Sequence, residues 1–174
     1  MLAEAGYEFT CVNPDVDESD FDAEGVNPCE YAEKLALAKA RSVAGKFPDS
    51  LVIGADTVAD FEGEIIGKAA DAKEAEEITR RLFSRAHKVI TAVAIVRESR
   101  GIEIVESDST TIIPKKLTER QITEHIKGGS WRGKAGAYAI QEEDEFVERI
   151  EGSLTNVMGL PMELLQRLLK RFVG

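Results

Sequence analysis

The chain has 174 residues and a formal net charge of −10 at pH 7, with 43% hydrophobic and 31% charged residues. This balance predicts one soluble globular domain, or two lobes around a cleft, and it excludes a disordered chain. The negative charge argues against non-specific binding to nucleic acid or to an anionic membrane, and no apolar run approaches the ~20 residues of a membrane span. Cys11 and Cys29 match no zinc spacing and no CxxC pair, which is typical of reduced thiols in the cytoplasm.

The first 27 residues contain the strongest acidic bias of the sequence. Residues 1–6 are expected to be the end of a helix that stops at Gly6, and residues 7–12 alternate like a strand. The end of a helix without its first half indicates that the chain begins inside an element. Residues 13–27 are rich in carboxylates and turn formers, so we expect a solvated loop in which one or two acids could hold Mg²⁺.

A helix is predicted to begin at Asn27 and Pro28, since asparagine is a favoured N-cap and proline is favoured at the first helical position. Lys39 lies at the centre of the apolar stripe of this helix. Two interpretations stay open: Lys39 extends its ammonium into water along the core, or it meets an anion at the edge of the core. The apolar stripe consists of Ala32, Leu35, Ala36 and Val43.

The stretch from Ser50 to Lys68 is the most informative part of the sequence. Its apolar run, residues 51–55, predicts a buried strand that ends at Asp56. A buried carboxylate costs several kcal/mol unless a cation, a metal or hydrogen bonds compensate it. A turn over 61–64 and a short returning strand would bring Lys68 back beside Asp56. The alternative is that Asp56 only caps a turn and Lys68 is solvated.

The second half of the chain continues to alternate between helices and strands. Capping patterns at Asp71 and Thr118 predict helices that end near Phe83 and Gly129. The remaining predicted elements are a meander of two strands (87–96 and 102–113), a strand (146–150), a loop (151–159) and a final amphipathic helix that begins at Pro161.

Two further features of this half bear on function. The glycine-rich segment 130–141 contains Arg132 and Lys134, so its backbone amides and two cations could approach a phosphate closely. His87 begins a predicted strand, where a single histidine is more often a structural hydrogen-bonding residue than a ligand.

Six ordered blocks of sequence resemble the Maf family of nucleoside triphosphate pyrophosphatases, whose fold is related to that of the inosine triphosphatases. The resemblance covers nearly the whole chain and implies a single domain, 1–174, of the α/β class, with a mixed sheet, flanking helices and two lobes around a cleft. The blocks are LALAKA (35–40), GADTV (54–58) with Gly67 and Lys68, HKVIT (87–91), KAGAYAIQ (134–141), IEGS (150–153) and NV with GLP (156–161).

The resemblance implies hydrolysis of a nucleoside triphosphate to the monophosphate and pyrophosphate, with Mg²⁺ or Mn²⁺ as cofactor. Asp56 matches the family's proton acceptor, which would activate the attacking water. Lys39 and Lys68 match lysines that meet the phosphates, and Glu18 matches an acid near the metal. Whether Asp56 is the base or a metal ligand stays open, so both Asp56 and Glu18 are candidate ligands.

Base preference is also implied by the resemblance. Thr57 and Gln141 match positions associated with the choice of base, and together with the sequence YAIQ they look like the subgroup that acts on dTTP and UTP. The other subgroup prefers 7-methyl-GTP.

The chain departs from the family at its start. Family members begin with a strand and a loop of the type Ser-x-Ser-Pro-Arg-Arg, and here this N-terminal strand and phosphate loop are expected to be missing. Because charge-assisted contacts are strong, nucleotide affinity should suffer without those arginines. The alternative function is therefore a weak or inactive Maf-like nucleotide-binding module linked to septum formation. For either function we expect a cytoplasmic protein without nucleic-acid or membrane partners, and a homodimer is left open.

Overall fold

A computed structural model describes residues 1–138 and 146–172 of the chain. Five strands form one sheet: β1 (Val52–Phe61), β2 (Glu64–Ile66), β3 (His87–Arg97), β4 (Ile102–Pro114) and β5 (Val147–Glu151). Their order across the sheet is β2-β1-β3-β4-β5, and each neighbouring pair is antiparallel. We had expected a mixed sheet; tight turns join β1 to β2 and β3 to β4, and such turns require antiparallel neighbours.

Helices cover the sheet, which confirms the α/β class with flanking helices. They are α1 (Pro28–Ala44), α2 (Ala72–Leu82), α3 (Glu119–Gly128), the short α4 (Leu154–Val157) and α5 (Met162–Leu169). The predicted N-caps are confirmed: Asn27 begins α1, Asp71 begins α2, and Thr118 forms a capping box with Gln121 at α3. The loop predicted over 151–159 contains α4.

The central strand β3 connects the two sides of the core. Ile90, Ala92, Ala94 and Val96 pack with the buried alanines of α1, whereas Val93 and Ile95 pack with α5. Since successive side chains of a strand point to opposite faces, α1 and α5 lie on opposite faces of the sheet.

Gly54 lets β1 approach α1 unusually closely. A Cβ atom at this position would lie 2.4 Å from the backbone oxygen of Ala36 and 2.8 Å from the backbone nitrogen of Ala40. Both atoms belong to the helix backbone and cannot swing away, so only glycine fits. Lys39 lies in this same turn of α1, and its ammonium therefore reaches Asp56, two residues beyond Gly54 on β1.

The predicted strand over residues 7–12 is wrong. These residues have no regular secondary structure, and Phe9 and Val12 are 53% and 39% exposed. The alternating pattern is present, but among the described residues no neighbouring strand pairs with it, and an extended segment is not stable without such pairing. Residues 1–6 form turns rather than a named helix, and Gly6 has a φ of +82°.

The expected position of Asp56 at the end of a strand is also wrong. β1 continues through Asp56 to Phe61, because it pairs with β3 as far as Asp60 opposite Lys88. β2 pairs only with Ala59–Phe61. Among the described strands, the segment 52–58 therefore has a neighbour on one side only, and Asp56 lies within this open edge.

Replacing Gly54 with alanine should lower the free energy of unfolding by about 1–3 kcal/mol, since the added methyl group overpacks a helix backbone that cannot yield. Urea denaturation measures this change. Gly128→Ala is the matched control, because a Cβ at Gly128 meets no atom within 4 Å. Equal stability of the two variants would contradict the close approach of β1 and α1.

Candidate active site

Four charged side chains from four separate segments form one chain of ion pairs. Lys39 of α1 donates to Asp56 of β1 at 2.6 Å and to Glu18, in a 3-10 turn over Glu18–Asp20, at 2.9 Å. Lys68, which follows β2, donates to the other carboxylate oxygen of Glu18 at 2.7 Å. The contacts therefore run in the order Asp56, Lys39, Glu18, Lys68, so that carboxylate and ammonium groups alternate.

The inner pair of this chain is shielded from water. The side chains of Asp56 and Lys39 are only 10% and 18% exposed. Burial raises the pKa of Asp56 above its usual value, against the opposing effect of the hydrogen bond from Lys39. Burial also opposes the charge of Lys39, but its hydrogen bonds to Asp56 and Glu18 outweigh this and raise the pKa of the ammonium.

The outer pair is open to solvent. Glu18 and Lys68 are 40% and 52% exposed. Hydrogen bonds from Lys68 and then Lys39 lower the pKa of Glu18 to about 2, so Glu18 is an anion at any physiological pH. Its carboxylate thus occupies two ammonium groups that could otherwise bind an anionic ligand.

These side chains line a cavity of about 510 Å³. Its wall includes part of the glycine-rich segment predicted to approach a phosphate, here Gly133–Gly136. An isolated antiparallel β-bridge pairs Ala135 of this segment with Lys68. Lys134 adds a third cation to the lining, whereas Arg132 lies over the ring of Trp131 at 4.7 Å. The volume suits a ligand of nucleotide size.

Thr57 lines the same cavity from the opposite face of β1. It lies opposite Thr91 of β3, and their hydroxyl oxygens are 2.9 Å apart. Thr91 in turn contacts Asn156 of α4 through both its hydroxyl and its backbone N–H. Val157, Met158 and Gly159, which follow Asn156 directly, complete this side of the cavity.

Comparison with known proteins gives the family of the chain. Residues 1–172 match the family described as Maf-like protein. The chain belongs to the Maf family. The dTTP/UTP pyrophosphatase of Symbiobacterium thermophilum is 38% identical over 99% of this chain and 87% of its own length. The dTTP/UTP pyrophosphatase of Pelotomaculum thermopropionicum is 39% identical over 99% of this chain and 90% of its own length. The protein of the same name from Elusimicrobium minutum is 38% identical over 99% of this chain and 91% of its own length.

The structure of this Maf protein brings together four of the site residues selected from sequence: Glu18, Lys39, Asp56 and Lys68. Lys39 meets an anion, as one of its two interpretations required, and Lys68 is linked to Asp56 only indirectly, through Glu18 and then Lys39. Thr57 lines the same cavity. Gln141 lies outside the described residues.

Three further residues, Thr91, Asn156 and His87, lie in or directly behind the wall of the cavity. Sequence reasoning missed Thr91 and Asn156 as parts of the site, although a threonine inside the apolar run 89–96 was a signal of a buried polar contact. His87 lines the cavity, is buried, and packs edge-on against Phe83. Burial lowers the pKa of His87, which favours the neutral ring.

The charged cluster offers a limited set of metal ligands. Within residues 1–138 and 146–172, no group of three or more histidine, cysteine or acidic side chains could hold a metal ion. Asp56 and Glu18 nevertheless place carboxylate oxygens around one point, where the Lys39 ammonium now lies. Two carboxylates suit Mg²⁺, which keeps several waters and takes further ligands from substrate phosphates.

In the same described residues, no helix is long and apolar enough to cross a membrane.

Replacing Lys39 with methionine should leave Asp56 without its cation and lower the free energy of unfolding by about 2–4 kcal/mol near neutral pH. The pKa of folded Asp56 is already above its unfolded value, so the native state binds the proton more tightly. Stability of the variant should therefore decrease as pH rises from about 4, the pKa of an unfolded aspartate, through the raised pKa of the folded state.

Urea denaturation across this range measures the effect. Lys34→Met on the exposed side of the same helix is the control, since Lys34 takes part in no ion pair among the described residues. If Lys39→Met and Lys34→Met were equally stable at every pH, the Lys39–Asp56 pair would carry no energetic weight.

Proposed function

We propose that this Maf protein hydrolyses dTTP and UTP to the monophosphate and pyrophosphate. The observation that carries this proposal is a buried carboxylate, Asp56, in a nucleotide-sized cavity that three lysines also line. The relatives named above bear the name of this activity.

Asp56 acts as the general base in this proposal. One oxygen, Oδ1, accepts from Lys39, whereas Oδ2 has no hydrogen-bond partner in the part of the chain that the structure describes. Oδ2 is therefore available to a water molecule. Burial, which raises the pKa of Asp56, also makes its carboxylate a stronger base than a solvated one. As the water attacks, its proton passes to Asp56, and the bond between the α- and β-phosphates breaks.

The lysines bind the polyphosphate and offset the charge that develops on it. Lys68 and Lys134 are exposed to the cavity, and Lys39 lies behind them beside Asp56. Phosphate oxygens compete with the carboxylate of Glu18 for Lys39 and Lys68. Glu18 is half-exposed and belongs to a short surface turn, so it can give up these contacts when the nucleotide binds.

A divalent cation, Mg²⁺ or Mn²⁺, is part of the proposal. Glu18 and Asp56 would hold it, together with water and phosphate oxygens. When bound, such an ion neutralises negative charge on the phosphates and polarises the anhydride bond. Once phosphate oxygens have replaced Glu18 on Lys39 and Lys68, the Glu18 carboxylate would bind the cation instead.

Base preference is assigned to the opposite face of β1. Thr57 would contact the pyrimidine, and we also keep Gln141 as a proposed base-contacting residue. The relatives named above are pyrophosphatases, which favours an enzyme over a nucleotide-binding module linked to septum formation. A single domain over 1–174, a cytoplasmic location, a homodimer and the absence of nucleic-acid partners remain proposals.

Pyrophosphate release in the presence of Mg²⁺ or Mn²⁺ tests the activity. We expect turnover of dTTP and UTP to exceed that of CTP, ITP and 7-methyl-GTP, because of the pyrimidine contacts assigned to Thr57. The phosphate product should be pyrophosphate rather than orthophosphate. Binding of dTTP without any pyrophosphate release would instead support the nucleotide-binding module.

Asp56→Asn should reduce kcat at least about a hundredfold, since general-base catalysis typically contributes that much or more. Asparagine has nearly the same shape, so the unfolding transition should remain cooperative. In the unmodified enzyme, kcat/KM should fall at low pH with a midpoint above the ordinary pKa of an aspartate, because the folded pKa of Asp56 is raised. Substantial residual turnover of Asp56→Asn would contradict its role as the base.

A further inference from the structure

The hydrogen atom of the Thr91 hydroxyl has a fixed destination. Thr91 Oγ1 lies 2.7 Å from the backbone oxygen of Asn156, and a carbonyl oxygen can only accept. A hydroxyl has one hydrogen to donate, so Thr91 donates it to Asn156. Thr91 is fully buried, and water cannot offer an alternative partner.

The direction of the next hydrogen bond follows. Thr57 and Thr91 share a contact of 2.9 Å between their hydroxyl oxygens, in which one of them must donate. Since the hydrogen of Thr91 is already used, Thr57 is the donor. The Thr57 hydroxyl then has no hydrogen left for a ligand and meets the cavity only with its lone pairs.

Asn156 keeps this arrangement from reversing. Its Oδ1 accepts from the backbone N–H of Thr91 at 3.1 Å, and its Nδ2 donates to the backbone oxygen of Val89 and to Thr110 Oγ1, both at 2.9 Å. A flipped amide would place two donors, or two acceptors, against each other. Asn156 is fully buried, so its amide and its backbone oxygen are both held in place.

Space in front of the Thr57 hydroxyl is preserved by Gly159. This glycine lines the cavity and has a φ of +94°, and a Cβ there would lie 3.4 Å from Thr57 Oγ1. The absence of a side chain leaves room for a ligand beside the lone pairs of Thr57.

We propose that Thr91 and Asn156 determine base preference by making the Thr57 hydroxyl an obligate acceptor for the N3–H of uracil or thymine. Cytosine carries a lone pair at N3, which would face the lone pairs of Thr57 and leave both without a hydrogen. Thr91 and Asn156 are positioning residues, because they act through Thr57. The inference rests on the nucleotide site proposed above.

Binding of non-hydrolysable α,β-imido analogues of UTP and CTP tests this inference without requiring turnover. For the unmodified protein, we expect the UTP analogue to bind at least about tenfold more tightly, since an unsatisfied polar group is costly. Thr91→Val removes the acceptor that fixes the Thr57 hydrogen and should reduce this ratio to about threefold or less. Thr91→Ser keeps the hydroxyl and should keep the ratio.

The double variant Thr57→Val/Thr91→Val shows whether Thr91 acts through Thr57. Its ratio should equal that of Thr57→Val alone. An additional change would overturn the proposed relay, the hydrogen bonds that link Asn156 through Thr91 to Thr57. A folded Thr91→Val protein with the full preference for uracil would also overturn it.

A second measurement uses only the unmodified protein and Thr57→Val, in case Thr91→Val does not fold. Methylation at N3 should weaken binding of the UTP analogue at least about tenfold in the unmodified protein and much less in Thr57→Val. Equal losses in both proteins would refute the contact. Preference for uracil in binding without any pyrophosphate release would refute the proposed activity and support the relay. Hydrolysis of UTP with an unchanged ratio in Thr91→Val would do the reverse.

Discussion

The ion pair between Lys39 and Asp56 is the contact on which the site depends. Both groups are largely removed from water, and the Asp56 carboxylate would be strongly unfavourable without the ammonium of Lys39. Their contact requires α1 and β1 to lie unusually close together, which Gly54 permits. The packing of a helix on a sheet thus fixes a carboxylate with a raised pKa at the open edge of β1.

The alternation of side chains along β1 divides two tasks between adjacent residues. Asp56 lies on the face toward α1, among the lysines and Glu18, whereas Thr57 lies on the face toward α4 and α5. Because the segment 52–58 has a described neighbour on one side only, a single cavity extends around this edge and reaches both faces. In the proposed function, consecutive residues of one strand therefore serve one nucleotide: Asp56 acts at the reacting phosphates and Thr57 contacts the base.

Sequence patterns predicted most helices and strands and selected Lys39 and Asp56, because local caps and a charge in an apolar stripe are visible without a fold. They failed for residues 7–12, since strand formation depends on a partner that the local pattern does not reveal. Sequence patterns also could not predict the contacts of Glu18 with the two lysines or the hydrogen bonds from Asn156 through Thr91 to Thr57. Both join residues distant in sequence, and the direction of the relay depends on where one hydroxyl hydrogen goes.

A crystal structure of the complex with α,β-imido-dUTP and Mg²⁺ would show whether the nucleotide binds at the charged cluster as proposed. We expect phosphate oxygens on Lys39 and Lys68, the carboxylate of Glu18 displaced from both lysines, Asp56 facing the α–β bridge, and the uracil N3 beside Thr57 Oγ1. A nucleotide bound outside this cavity, or bound with Glu18 still joining the two lysines, would contradict this proposal.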